Sequence, residues 1–324
     1  MKILVYGAGV IGGQMVHTLC ACGHDVTVIA RGAWAETLRE NGLRIYHYVQ
    51  RTDTVDYPRI LEQYDGAEYD VALAVMQYRQ MEALLPDLAA VNAPLVILVG
   101  NNLSAAEMER YITEHTDAPK TVLFGFGSTA GQRANGKITA VHTGDGRLTV
   151  GGLHADAPFE AKATVARLFN GSKCSVIYCD NMDSWLKYHA AFILPIVYLS
   201  YATDCDLRKA TRGQRKLLLD AAGDAYGLLM RLGYPVRPVD DEKNLQGARR
   251  GVMEAIIYAM AKTKIGALCT TEHCKNAPGE MEGLDAAFMA LREKAPDFPM
   301  LSFDRLRAMM PPWETVRETY GGAK

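Results

Sequence analysis

The sequence predicts an α/β protein in two parts: a doubly wound, mostly parallel sheet over residues 1–180, then an all-helical domain over residues 181–324. Three observations carry this. A strand-like run, a glycine-rich turn, a helix-like run and a second strand complete a βαβ unit within the first 30 residues, and parallel pairing requires such a crossover. Apolar runs of strand length then alternate with helix-like segments, the pattern of a sheet covered on both faces. Beyond Asp180 apolar residues recur only at helical spacing.

Lys2-Ile3-Leu4-Val5-Tyr6 reads as a short buried strand that runs into Gly7-Ala8-Gly9-Val10-Ile11-Gly12-Gly13. Gln14 to Cys22 reads as a helix closed by Gly23, and Asp25–Ala30, rich in β-branched residues, as the second strand. Further strands are expected at Val71–Met76, Leu95–Val99 and Thr121–Phe124. From Gly127 to Gly152 the chain is dense in Gly and Thr, and Lys137–His142 and Arg147–Val150 are expected as hairpin strands extending the sheet edge. Helices are expected at Asp183–Ser200, Gly213–Leu232, Arg249–Thr263 and Met281–Lys294, with a frayed tail at Gly321-Gly322-Ala323-Lys324.

Composition narrows the function classes. Lys plus Arg total 35 against 37 Asp plus Glu, a net charge of -2, which argues against a nucleic-acid binder. The longest apolar stretch, Ala190–Leu199, is interrupted by Pro195 and falls short of the ~18 residues of a membrane span. Lys2 followed by a strand and a glycine loop matches neither a signal nor a transit peptide, so a soluble cytoplasmic protein is expected, with no membrane partner. The seven cysteines are scattered and odd in number, as free thiols would be. Cys269, His273 and Cys274 match no zinc spacing, so no metal is expected.

The chemistry concentrates in Gly7-x-Gly9-x-x-Gly12, which follows a strand and opens a helix, the context that makes this pattern a dinucleotide fingerprint. Gly7 permits the turn, Gly9 lets a pyrophosphate approach the backbone, and Gly12 lets helix and strand pack closely. The helix N-terminus adds unpaired N–H donors and a positive dipole end. At the end of the second strand an NAD enzyme usually carries an acid for the ribose 2′-hydroxyl; here Ala30 is followed by Arg31, which can grip a 2′-phosphate. NADP is therefore favoured over NAD. The plainer readings are a ligand-free glycine turn and a solvated Arg31.

With these motifs the chain resembles the ketopantoate reductases (2-dehydropantoate 2-reductases), as a divergent member, over essentially its whole length. The resemblance rests on Gly7/Gly9/Gly12 with Arg31, Asn101 in Val99-Gly100-Asn101-Asn102, Lys187 in Trp185-Leu186-Lys187, and Glu280 in Gly279-Glu280-Met281. It implies a Rossmann-type domain followed by a helical catalytic domain, with a cleft between them. The implied reaction is NADPH-dependent reduction of a small 2-oxo acid, foremost 2-dehydropantoate to pantoate. Lys187, Asn101 and Glu280 are the implied catalytic residues. Gly7, Ala8, Gly9, Val10, Ile11, Gly12, Arg31, Gln77 and Asn101 are the implied cofactor contacts, and a homodimer is the assembly it suggests.

Independently of any family, hydride delivery to a ketone leaves negative charge on oxygen, which needs a proton donor or an oriented cation. Lys187, at the start of an apolar helix, suits that role; its rival reading is a lysine snorkelling from a helix end. Asn101 follows an apolar strand at the edge where doubly wound sheets bind ligands, though many turns also use Asn there. Glu280 could equally be a first-turn glutamate complementing a helix dipole.

The pattern departs from the family at several positions. Asparagines four and eight residues after the lysine are Ala191 and Pro195 here, on the same helical face as Lys187. Pro195 has no N–H, so the Ala191 carbonyl is freed and can replace one lost amide as an acceptor. The family's lysine before the third-strand loop is Gln77, the Gly after the strand-end Asn is Asn102, and the upstream serine has only Thr270 and Thr271 as loose counterparts. These changes weaken the case for pantoate itself and admit another keto acid, an imine, or a non-catalytic NADP-binding regulator. Retention of both Lys187 and Glu280 argues against the regulator. His189, two residues from Lys187, faces away by about 200° and is left out, as is His273.

Overall fold

Strands β1 (Lys2–Tyr6), β2 (Asp25–Ile29), β3 (Leu43–His47), β4 (Thr52–Asp56), β5 (Arg59–Leu61), β6 (Val71–Val75), β7 (Leu95–Val99), β8 (Thr121–Gly127), β9 (Ala130–Ala134), β10 (Lys137–Val141), β11 (Arg147–Gly151) and β12 (Ser175–Tyr178) all lie in the first part of the chain. Interleaved with them are α1 (Val10–Ala21), α2 (Gly32–Asn41), α3 (Tyr78–Ala90), α4 (Ala105–Glu114) and α5 (Phe159–Leu168). The computed structural model describes residues 1–321, so the tail expected at Gly322, Ala323 and Lys324 lies outside the described residues. Its contacts divide the chain into two compact units, Met1–Met182 and Asp183–Lys324.

In the first unit one eight-stranded sheet runs β12-β11-β8-β7-β6-β1-β2-β5. Six of these strands, β8-β7-β6-β1-β2-β5, are parallel throughout. Numbered among themselves from the β5 edge they run 3-2-1-4-5-6, the doubly wound dinucleotide-binding order. Every residue of β6 and β7 is buried, as strands covered on both faces require. The expected α/β class, a parallel-sheet unit followed by a mostly helical region, is therefore observed.

The Gly/Thr-rich segment differs from expectation. Arg147–Gly151 does join the large sheet, antiparallel to β8, but Lys137–Val141 belongs to a second sheet of order β4-β3-β10-β9. Its hairpin partner is β9, paired Lys137 to Ala134 across Asn135-Gly136. Both turn residues have positive φ, 51° and 69°, as a two-residue turn matching the strand twist demands. That Asn-Gly pair was the overlooked signal. Helix α1 packs against this second sheet closely: a Cβ on Gly13 would lie 2.5 Å from Ile138 Cδ1. Val16 and Leu19 of α1 share one core with Ile3, Val5, Ile45 and Ile138.

The second unit holds α6 (Met182–Ala202), α7 (Arg212–Arg231), α8 (Gly247–Lys262), α9 (Lys264–Cys269), α10 (Thr271–Asn276), α11 (Pro278–Arg292), α12 (Leu301–Arg307) and α13 (Trp313–Tyr320), with no strand among its described residues. Helix α6 continues through Pro195. Asp285, 2% exposed, ties four of these helices together. It accepts hydrogen bonds from Tyr198 Oη (2.6 Å), Arg307 Nε (2.9 Å) and Nη2 (2.7 Å), and Trp313 Nε1 (2.8 Å). All seven cysteines are free thiols.

Candidate functional site

The glycine turn sits where the sheet order reverses, between β1 and its neighbours β6 and β2. Gly7 has φ +95°, and its N–H donates to Ile29 O at 3.2 Å. A Cβ on Gly7 would lie 2.4 Å from Val75 O, and one on Gly12 2.1 Å from Gly7 O, so both positions admit only glycine. Gly9 is different: nothing lies within 4 Å of its would-be Cβ. It is the N-cap of α1 with no side chain to offer, and the first turn carries no acid. The N–H groups of Val10, Ile11 and Gly12 precede the first intrahelical bond, Gly13 N–H to Gly9 O at 2.8 Å. An open approach lined by uncommitted N–H donors at a positive dipole end suits an anion such as a pyrophosphate.

The neighbouring strand ends complete this edge. Arg31, exposed, is the N-cap of α2, whose first turn is also free of acids. Trp34, one turn on, donates its indole N–H to Ala8 O at 3.0 Å and so fastens α2 to the glycine loop. Gln77 caps α3 beyond β6, its N–H donating to Gln80 Oε1 at 3.3 Å. Asn101 is buried just beyond β7. Asn102 is structural: its Oδ1 accepts from Ser104 N–H at 3.0 Å and so shapes the entry to α4.

In the second unit Lys187 is only 5% exposed. Its ammonium ion-pairs with Asp183, one turn earlier on α6 and equally buried, and lies 4.8 Å from the centroid of the Tyr234 ring. Tyr188 Oη donates to Tyr234 O at 3.0 Å and holds that ring's segment in place. Burying a cation is costly unless it is paired, and here an anion and a π-face share the task.

Glu280, buried in the first turn of α11, faces His273 Nε2 at 3.3 Å. Desolvation works against the charged imidazole, but the Glu280 carboxylate outweighs it and holds His273 above its usual value. Around Glu280, α11 meets the C-terminal half of α6: Met281 packs with Val197 and Tyr201, and Tyr201 Oη bonds Cys274 O at 2.9 Å. Val197 is ten residues from Lys187, roughly 15 Å of helix rise. The carboxylate that steers Lys187 is thus Asp183.

Sequence reasoning missed three of these side chains. The Asp183–Lys187 spacing of four was legible as a helical ion pair. The links from Trp34 to Ala8 and from His273 to Glu280 join separate elements and carry no local signal. His189 does turn away from Lys187: it stacks on Trp185 and lines a cavity of about 210 Å³ with Phe192 and Tyr226. Burial pushes its imidazole down to about 4. Among the described residues no group of three or more His, Cys, Asp or Glu is arranged to hold a metal, and no helix is long and apolar enough to cross a membrane.

A protein-family model described as "Ketopantoate reductase PanE/ApbA" matches residues 3–154, most of the first unit. Over those residues the chain is similar to the ketopantoate reductase family. The resemblance read from the sequence is thereby borne out. The 2-dehydropantoate 2-reductase of Pyrococcus abyssi is 26% identical over 192 residues, 57% of this chain and 59% of that protein, so the alignment spans less than two thirds of that relative. In fold the likeness reaches further. The 2-dehydropantoate 2-reductase of Methylococcus capsulatus superposes with a TM-score of 0.72 at 18% identity, over 100% of this chain and 99% of that one. A D-mandelate dehydrogenase in ternary complex with NADH and anilino(oxo)acetate gives 0.74 at 15% identity, over 99% and 100%. At these identities the superpositions speak for the fold alone.

Proposed function

We propose that this chain is an NADPH-dependent reductase of small 2-oxo acids, with 2-dehydropantoate, reduced to pantoate, as the first candidate. The observation that carries the reading is the glycine turn at the sheet's reversal point, open over Gly9, uncapped and free of acids. Under this reading residues 1–180 bind the cofactor through Gly7, Ala8, Gly9, Val10, Ile11, Gly12, Arg31, Gln77 and Asn101, and residues 181–324 carry the catalytic lysine. A D-mandelate dehydrogenase of similar fold in complex with NADH supports a nicotinamide cofactor; Arg31, standing where an acid would select NAD, supports NADP.

The bound nicotinamide supplies the hydride. Lys187 donates a proton to the carbonyl oxygen as charge develops there, while its ion pair with Asp183 keeps the ammonium aimed. The Tyr234 ring excludes water from one side of that ammonium. Asn101 positions the substrate, whereas Glu280, oriented by His273 beside the C-terminal half of α6, reaches only a part of it remote from the reacting carbonyl. The Ala191 carbonyl, whose helical donor Pro195 removes, serves as an acceptor for a substrate hydroxyl. The protein works in the cytoplasm as a homodimer. Val252 and Ile256, one turn apart on α8 and 62% and 46% exposed, offer an apolar surface for such an assembly.

A second reading is favoured by one observation: Ala191 and Pro195, at positions where asparagines would line the lysine's face, are both buried and apolar. They suit a 2-oxo acid with a larger apolar group; the D-mandelate dehydrogenase complex holds anilino(oxo)acetate, which joins an aryl group to an oxoacetate end. The deciding experiment follows NADPH oxidation at 340 nm with 2-dehydropantoate, aliphatic and aryl 2-oxo acids, and NADH controls. Turnover of 2-dehydropantoate supports the first reading, and turnover of bulky apolar 2-oxo acids alone supports the second. No turnover of any 2-oxo acid refutes both. Arg31→Ala should weaken NADPH binding far more than NADH binding; equal losses would refute the NADP assignment.

A further inference from the structure

Arg31 is not the one cation at the glycine-loop edge. Arg133, on the edge strand β9 of the smaller sheet, places its guanidinium carbon 4.7 Å from the ring centroid of Trp34. Trp34 is the residue whose indole N–H is anchored on Ala8 O. Arg31 is the extended N-cap of α2 and Trp34 lies in the first turn of the same helix, three residues on. Trp34 thus holds the Arg133 guanidinium beside the loop that would hold the pyrophosphate, at the helix start where Arg31 also stands.

The position of Arg133 is built rather than incidental. The Asn135-Gly136 turn closes the β9–β10 hairpin, and a Cβ on Gly136 would sit 3.3 Å from Thr37 Cγ2, so the hairpin tip rests on α2. Ile138, opposite Arg133 across that hairpin, is fully buried in the core shared with α1. Neither Arg31 nor Arg133 has a carboxylate within ion-pair distance among the described residues, and the first turn of α2 carries no acid. Two uncompensated guanidinium groups at one helix start, that of Arg133 fixed on an aromatic ring, suit a dianionic phosphate monoester. A lone packing arginine would need neither the second cation nor the missing acids.

We propose that Arg133 is a second specificity residue of the cofactor site, held by Trp34 so that it shares with Arg31 the 2′-phosphate of NADP. This rests on the NADP reading above and deepens it: selectivity comes from two sheets, β2 supplying Arg31 and β9 supplying Arg133. It also assigns Trp34 as the positioning residue between them.

The test is binding, not turnover. Isothermal titration would measure 2′,5′-ADP and 5′-AMP, and fluorescence titration NADPH and NADH, on the full chain and on Arg31→Ala, Arg133→Ala and Arg133→Lys, with thermal melts confirming that each variant is folded. Arg133→Ala should weaken 2′,5′-ADP and NADPH about 10- to 30-fold while 5′-AMP and NADH change less than about twofold. Arg133→Lys should recover part of the loss, because a point charge replaces a fork. If Arg31→Ala loses discrimination and Arg133→Ala keeps it, this inference is overturned and the NADP reading stands. Equal loss of both ligand pairs in Arg133→Ala would reduce Arg133 to packing and likewise overturn it. A parent chain that binds NADPH and NADH equally overturns the NADP reading together with this inference.

Discussion

Acidification should loosen the first unit through one buried imidazole, His47, 4% exposed at the end of β3. The hydrogen bonds around it assign every proton. His142 Nδ1–H donates to Gly144 O at 3.0 Å, so His142 Nε2 is a lone pair and accepts from His47 Nδ1–H at 2.8 Å. His47 Nε2 must then accept from Thr54 Oγ1–H, also at 2.8 Å. Adding a proton to His47 Nε2 would set N–H against a hydroxyl already donating, in a pocket shared with His17, His142, Asp56 and Asp145. Burial, then His17 and His142, hold His47 down to about 4 against 6.5, with Asp56 and Asp145 opposing weakly. A base whose folded value is depressed leaves the unfolded chain holding more protons, so stability falls as pH drops below 6.5 and continues to fall to about 4.

Between pH 7 and pH 5 this single group amounts to about 2 kcal/mol at ~1.4 kcal/mol per pH unit. His142, also depressed by burial, acts in the same direction. Urea unfolding followed by circular dichroism at pH 7 and pH 5 would compare the parent with His47→Asn, whose amide keeps the donor to His142 and cannot titrate. The parent should lose about 2 kcal/mol more than the variant over that interval. Parallel losses would refute the reasoning. The His17 ring of α1 lies tilted against His47, 4.9 Å between centroids, and bonds Asp56 at 2.7 Å, so the same acid opening should loosen the helix that begins at the glycine turn.

The two glycines of the fingerprint should separate binding from folding. Gly9→Val, placed in open space at φ -73°, should melt within a few degrees of the parent yet weaken NADPH at least ~10-fold, whereas Gly12→Ala should lower the melting temperature because its Cβ meets Gly7 O; tight NADPH binding by Gly9→Val would contradict the cradle. Lys187→Ala should cut kcat by ~10²–10⁴ while leaving NADPH affinity near that of the parent, and unchanged turnover would remove it from the mechanism. Asp183→Asn should lower kcat while leaving NADPH affinity near that of the parent, because the ammonium loses the carboxylate that aims it; an unchanged kcat would remove Asp183 from the positioning of Lys187. Asp285→Ala strands the Arg307 guanidinium, Tyr198 and Trp313 at once and should destabilise the second unit by ~3–5 kcal/mol in denaturant titrations; a change under ~1 kcal/mol would show the knot to be dispensable.

Local order was read well wherever a local cause dictates it. Lys2–Tyr6, the glycine turn and Asp25–Ile29 follow from β-branched content, glycine spacing and the crossover rule, and α6 from an apolar helical repeat that Pro195 does not break. The strands β3, β4, β5, β9 and β12 went unread: β5 and β12 are only three and four residues long, and β4, β9 and β12 each leave two or more residues exposed. Periodicity cannot distinguish such segments from loops; their pairing across long stretches of chain stabilises them.

By itself, then, the sequence determined the doubly wound unit, the helical unit and the positions of Gly7, Gly9, Gly12, Arg31 and Lys187, because each depends on backbone chemistry or spacing within one element. Only the tertiary structure decided what surrounds them. It put Arg133 of a second sheet over Trp34, gave Glu280 to His273, set Tyr234 against Lys187, and threaded His47 to His142 across 95 residues. Those contacts join separate elements, and they form only when packed strands and helices bring the side chains within hydrogen-bonding or stacking distance, which no pattern within one element encodes.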